Sequence, residues 1–146
     1  MVKGSCLCGA VGYELHGDLG PMAHCHCSMC RKHHGASFGT YIGVDPSGFR
    51  WIRGEESVTR YESSPGVHRG FCRTCGSSLP IPDPAASKPF VPAGTLDDDP
   101  GQRPAAHIFV GSKAAWYEIR DDLAQFEGYP PGFGAGHDVA RKDERR

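Results

Sequence analysis

Large aliphatic side chains are scarce. Leu, Ile, Val and Phe together account for only 26 of 146 residues. A chain this poor in them borders on the composition of sequences that cannot bury enough apolar surface to fold. Net charge is also lacking: 16 Lys and Arg stand against 17 Asp and Glu, leaving −1. Disorder of the charged, self-repelling kind is therefore excluded, and two Trp, five Tyr and seven Phe argue for a packed domain. No stretch approaches the ~18 consecutive apolar residues of a membrane span, so no membrane partner is expected. Neither half is basic. Residues 1–80 carry 8 basic and 6 acidic side chains and residues 81–146 carry 8 and 11, so no nucleic-acid partner is expected. Met1 to Cys6 hold no apolar run of secretory-leader length. The expectation is a cytoplasmic, reducing setting, in which clustered cysteines bind metal more often than they pair.

What is abundant is glycine, with 20 residues, and proline, with 12. Short alternating stretches lie between the turns they make: Val11–Leu15, Ser37–Val44, Phe49–Arg53, Val58–Glu62, Val67–Cys72 and His107–Val110. Phe38, Thr40, Ile42 and Val44 share one face of the second. Many short strands at this spacing predict an antiparallel, all-β architecture. Helix signals are few. Ser28 is placed to cap one turn over Met29–His34, closed by Gly35. Trp116, Ile119, Leu123 and Phe126 fit one helical face, though irregular chain accounts for the spacing equally well. Pro80 to Pro104 holds seven prolines and reads as a long surface excursion. Residues 1–131 are expected to form one domain. Residues 132–146, Gly-rich and then charged, are expected to be a flexible tail.

Seven cysteines fall into three groups: Cys6-Leu7-Cys8-Gly9, Cys25-His26-Cys27-Ser28-Met29-Cys30 and Cys72-Arg73-Thr74-Cys75-Gly76. Four thiolates about 2.3 Å from a tetrahedral zinc lie about 3.8 Å apart. Residues i and i+2 of a strand, or the ends of a C-x-x-C turn, reach that separation with modest bending. Glycine after Cys8 and Cys75 lets backbone N–H groups approach sulfur and permits positive φ. Cys6, Cys8, Cys72 and Cys75 would thus close a structural site. Its binding energy, on the order of 10 kcal/mol, becomes folding energy and offsets the thin core. Cys25, Cys27 and Cys30 supply three ligands. Either a fourth position stays open, as in catalytic zinc, or His24, His33 or His34 closes it. His26, between two ligand cysteines, should point away from the metal.

In that order the three motifs, with His107-Ile108-Phe109-Val110-Gly111-Ser112-Lys113-Ala114-Ala115-Trp116-Tyr117 downstream, resemble the glutathione-dependent formaldehyde-activating enzyme family. That family includes centromere protein V. The resemblance spans about residues 3 to 130. It implies a tent-like antiparallel zinc-binding β fold with long loops and little helix, and two zincs per chain. Structural zinc would sit on Cys6, Cys8, Cys72 and Cys75, and catalytic zinc, with an open position, on Cys25, Cys27 and Cys30. It also implies carbon–sulfur lyase-type chemistry: glutathione as co-substrate condenses with formaldehyde to S-hydroxymethylglutathione, or a related small thiol and aldehyde react.

Zinc held by three thiolates carries −1, is a weak Lewis acid and suits a fourth, substrate sulfur. Arg31 and Lys32, directly after Cys30, are the candidate cations to offset that charge. His107 and Trp116 could line a pocket, but a strand-end histidine and a packed tryptophan are the simpler readings. His68 is read in the same way. Lys113 and Arg73 are possible contacts for substrate carboxylates. Asp97-Asp98-Asp99 reads as a solvated loop without calcium spacing. Two other functions compete: a non-catalytic zinc-stabilised binding module, and a thiol-based metal or redox sensor. Oligomeric state is left open.

Overall fold

A computed structural model describes residues 1–82 and 89–131; the expected tail at 132–146 lies outside them. Eleven strands and one helix follow in chain order. They are β1 (Val2–Ser5), β2 (Gly12–Leu15), β3 (Leu19–Cys25), α1 (Ser28–His34), β4 (Gly39–Val44), β5 (Phe49–Arg53), β6 (Val58–Ser64), β7 (Val67–Cys72), β8 (Ser78–Leu79), β9 (Phe90–Pro92), β10 (Ala106–Ile108) and β11 (Ala124–Phe126). The all-β expectation holds. The stretches read as Phe49–Arg53 and Val67–Cys72 keep those bounds. No helix among the described residues is long and apolar enough to cross a membrane.

The chain forms two compact units. The first comprises Met1–Pro21 and Tyr41–Gln102, and the second Met22–Thr40 and Arg103–Arg146. In the first unit β2 pairs antiparallel with β1 and β5, β7 pairs antiparallel with β6 and β8, and β9 pairs antiparallel with β4. Its interior holds Val11, Tyr13, Leu15, Ile42, Val44, Leu79 and Val91, all essentially sealed from solvent. Tyr13 stacks on Phe49 at 5.5 Å and meets Trp51 edge-on at 6.1 Å. Its hydroxyl donates to Thr95 Oγ1 at 2.7 Å, which satisfies the polar end of an otherwise apolar anchor.

In the second unit β10 runs parallel to β3 and to β11, with His107 opposite His24 and Ile108 opposite Cys25. These parallel pairs depart from the antiparallel expectation. Parallel neighbours need a crossover of roughly a dozen residues, and the long irregular runs around β10 supply it. Hydrophobic periodicity carries no signal of such pairing.

The excursion expected at Pro80 to Pro104 instead contributes β9 to the first unit's core, with Val91 fully buried. Pro92 ends that strand, where a missing N–H donor is tolerated. The Asp97–Asp99 run is exposed, as the solvated-loop reading has it, and two of its carboxylates also tie the chain to β1. Asp97 accepts from Ser5 Oγ at 2.9 Å, and Asp98 accepts from the Lys3 backbone N–H at 2.8 Å. The helical spacing at Trp116, Ile119, Leu123 and Phe126 resolves as irregular chain leading into β11.

Gly4 lies opposite Tyr13 in the β1–β2 register. A Cβ there would collide with the Tyr13 ring and sit 2.7 Å from the Thr95 carbonyl oxygen. Gly4→Ala should therefore lower unfolding free energy by roughly 1–3 kcal/mol, the usual cost of overpacking. Thermal melting of the variant checks this.

Candidate metal centres

Each cysteine motif is shaped by local backbone rules. In the first, β1 ends at Ser5, Gly9 takes φ +75°, and its N–H returns to the Cys6 carbonyl at 2.9 Å. In the third, β7 ends at Cys72, Gly76 takes φ +74°, and its N–H returns to the Cys72 carbonyl at 2.8 Å. The two turns are built alike, and only glycine adopts that φ without penalty. They bring Cys6, Cys8, Cys72 and Cys75 together within the first unit, with all four sulfurs within 4.8 Å of one another. Cys6 and Cys8 Sγ lie 3.5 Å apart, and Cys8 and Cys72 Sγ lie 3.9 Å apart. Those separations bracket the ~3.8 Å edge of a tetrahedral thiolate cage.

N–H and O–H donors reach the sulfurs. The Val11 N–H donates to Cys6 Sγ at 3.3 Å. Cys75 Sγ lies 3.3 Å from Ser77 Oγ, and that hydroxyl, with the Ser77 N–H, pulls the Cys75 thiol down to about 5. All seven cysteines are free of disulfides. The Cys6 thiol is lowered as well, while crowding by Cys6 raises that of Cys8, so the cluster mixes readily ionised thiols with one that a cation would have to deprotonate.

The middle motif folds within the second unit. Cys25 closes β3, and Cys30 lies inside α1. The helix cap is Cys27, not Ser28: its Sγ accepts from the Cys30 N–H at 3.3 Å. Sulfur takes the place usually given to a hydroxyl, because the same residue must face its partner cysteines. Gly35 ends the helix in the left-handed region, with φ 61°. The three sulfurs lie within 4.8 Å of one another and are buried. No histidine nitrogen or carboxylate among the described residues joins them at that range.

The alternatives for a closing histidine are thereby placed. The His24 ring sits 4.3 Å from that of Phe38, and its Nδ1 is 2.8 Å from Thr40 Oγ1. His33 and His34 contact each other on α1. Crowding by Cys27 and Cys30, and then burial, pushes the Cys25 thiol well above its ordinary value. Three sulfurs this close cannot all ionise without a cation among them. Such a donor set suits a soft or borderline divalent metal.

His26 is fully buried and turned away from the sulfurs toward His107, at 2.8 Å between Nε2 and Nδ1. Arg31 folds back so that its Nε donates to the His26 carbonyl at 3.3 Å. Lys32 is exposed on the helix. Lys113 instead donates to the Ala114 and Tyr117 carbonyls, and its charge, like that of Arg31, is felt at His26. Trp116 is 74% exposed rather than packed. His68 and Arg73 belong to the first unit and are exposed there.

Residues 1–112 match the model of the glutathione-dependent formaldehyde-activating enzyme family. The chain belongs to that family. A Halomonas elongata protein provisionally named as such an enzyme is 33% identical in an alignment of 144 positions that covers 89% of each chain. An uncharacterized lyase of Schizosaccharomyces pombe is 31% identical over 78 residues, covering 53% of this chain and 54% of that one. A crystal structure of a Rhodobacter sphaeroides protein superposes with a TM-score of 0.54 at 29% identity. It covers 66% of this chain and 89% of the other. The all-β family fold and two cysteine clusters capable of holding metal ions thus stand together.

Nothing lies within 4 Å of a Cβ built on Gly35, so the cost of a side chain there is purely conformational. Gly35→Ala should destabilise the protein by about 1–2 kcal/mol, and Gly35→Asn by less, as thermal melts of the pair would register.

Proposed function

We propose that the protein is a zinc-dependent carbon–sulfur lyase-type enzyme acting on a thiol–aldehyde adduct. In this reading it condenses glutathione and formaldehyde to S-hydroxymethylglutathione, or runs a closely related reaction. The observation behind the reading is the trio of buried sulfurs with no fourth cysteine, histidine or carboxylate at ligand range among the described residues. Cys25, Cys27 and Cys30 would hold a catalytic zinc, and Cys6, Cys8, Cys72 and Cys75 a structural one. Bound by three thiolates, zinc favours a further deprotonated sulfur as fourth ligand and so would supply the substrate thiol as a nucleophile.

The reaction itself balances simply. The substrate sulfur forms the new bond to the aldehyde carbon, and the carbonyl π pair moves to oxygen. That oxygen takes up the proton which the thiol gave up, and the reverse path returns all three components. Holding both reactants at one place supplies much of the acceleration. The chain's own contribution is a dry, low-dielectric setting and positive charge beside it. The three cysteines are nearly inaccessible to solvent. The charges of Arg31 and Lys113 both act on the adjoining His26 and would stabilise a cluster that gains a further negative sulfur. Glutathione is the co-substrate in this reading because of its thiol, and its carboxylates suit the same two cations.

Metal analysis of the parent should give about two zincs per chain. Cys27→Ser should hold about one, keep the first unit folded and show no turnover of a thiol–aldehyde adduct. A one-zinc variant that still turns the adduct over would falsify the catalytic assignment. A parent that binds two zincs and turns nothing over would favour the binding-module reading.

A further inference from the structure

Behind the three sulfurs runs a line of polar side chains that the lyase chemistry above leaves unused. His24-Cys25-His26-Cys27 alternates two residue types over a strand end, and alternation sends them to opposite sides. The sulfurs gather on one side. On the other, the His24 and His26 rings both lie 5.0 Å from the His107 ring, and both touch Phe38. His26 Nε2 is 2.8 Å from His107 Nδ1. His107 Nε2 is in turn 3.0 and 3.1 Å from the two carboxylate oxygens of Asp121. The line thus starts at a fully buried imidazole, crosses a second that is 1% exposed and ends at a carboxylate that is 47% exposed.

Its protonation pattern follows from the network, starting at Asp121. The hydrogen bond from His107, and then that from the Leu123 N–H, hold the Asp121 carboxyl below its ordinary value, so it is ionised and can only accept. His107 Nε2 therefore carries hydrogen. A neutral His107 accepts at its other nitrogen, which makes His26 Nε2 the donor and leaves His26 Nδ1 a lone pair. That Nδ1 is buried and has no hydrogen-bond partner among the described residues. An unpaired lone pair costs less there than an unpaired N–H, which selects the same arrangement.

We propose that His107 and Asp121 are positioning residues for the three-cysteine cluster. Bonded in series behind His26, they fix its tautomer and its ring, and so the backbone that presents Cys25 and Cys27. The proposal rests on reading the cluster as a metal centre. The main chain of His26 is already tied down: its N–H donates to the Ile108 carbonyl at 2.9 Å and its carbonyl accepts from Arg31. With the ring also anchored, the peptide between the two cysteines has little freedom left. Without the acceptor at Asp121, His107 is free to place hydrogen on Nδ1 instead. Two N–H groups would then face each other across 2.8 Å, and the His26 ring, with its flanking sulfurs, must shift. Outer-shell partners of metal ligands contribute about 10–100-fold in affinity, and an effect relayed through one ring belongs at the lower end.

Cobalt in place of zinc gives a readout independent of turnover. Competition with a chromophoric chelator measures its affinity at each cluster, and its sulfur-to-metal charge-transfer band reports geometry. Asp121→Ala and His107→Phe should weaken cobalt at the three-cysteine cluster about tenfold and shift its band, with the four-cysteine cluster unchanged. Asp121→Asn, which keeps an oxygen acceptor for His107, should restore most of the loss. Spectra of 15N-labelled histidine should show both rings as Nε2–H tautomers in the parent and a mixed His107 in Asp121→Ala.

Unchanged affinity and band in both variants, or an Asp121→Asn as weak as Asp121→Ala, overturns the proposal. If His107→Phe loses both metals by failing to fold, Asp121→Ala, altered at a half-exposed position, decides. A parent binding one cobalt sinks the metal reading itself. In that same sample, mixed tautomers for His26 or His107 would separately overturn the ordering.

Discussion

Sulfurs crowded within a few ångströms cannot all carry charge unless a cation sits among them. That electrostatic constraint governs both clusters and, through them, much of the fold. Among the described residues of the second unit, the buried ones beside Cys25, Cys27 and Cys30 are Met22, Gly39, Ala106, Ile108, Ala114 and the two imidazoles His26 and His107. Only two of these are large aliphatic side chains. Hydrophobic burial at roughly 25 cal/mol per Å² has little area to act on there. A metal bound there would couple to the ordering of this unit, because the ligands come together only when the chain is folded around them.

The two clusters meet that constraint in different ways. The four-cysteine cluster joins turns that are 64 residues apart, so it closes a long loop as well as a coordination shell, and loop closure is costly without a bond to hold it. Its members range from sealed Cys6 and Cys72 to exposed Cys8, as suits a brace at the edge of two hairpins. The three-cysteine cluster is drawn from six consecutive residues, all of its sulfurs are buried, and α1 is capped by one of them. A short contiguous set closes no long loop. That difference is why the activity proposed above is placed on this cluster and not on the other.

Much of this was legible in the sequence, and the failures have physical causes. The cysteine partition into four and three could be read because ligand geometry acts over one to three residues, and the two glycine-ended turns announce themselves. Strands such as Phe49–Arg53 were legible because alternation is a local property. β1, β3, β8, β9 and β11 were not: they are short or interrupted by Gly and Pro, as in Leu19-Gly20-Pro21-Met22, and pairing rather than propensity makes them strands. The closing histidine could not be decided from spacing, because His34 has a plausible offset from Cys30 and only the three-dimensional arrangement leaves it on the helix with His33. Spacing could not say where the candidate cations would point: α1 leaves Lys32 exposed, while the turn after β10 brings the charge of Lys113 to bear on His26.

Asp121 was the least visible of the residues at the site, and the reason is general. It stands in a polar run, Arg120-Asp121-Asp122, with no motif to mark it. Its role depends on two registers that no local pattern encodes. One is the parallel pairing that sets His107 opposite His24. The other is the return of the chain after Phe109, a bulky residue held at φ 55°, a conformation that costs on the order of 1–3 kcal/mol and persists only where its surroundings impose it. Ligands are chosen by chemistry and so leave a signature in residue type. The groups that orient them need only an acceptor at the right place, which many side chains provide. Their identity is therefore written in the packing of distant segments, and His26, the one residue that the ligand spacing forces to face backward, is where that packing begins.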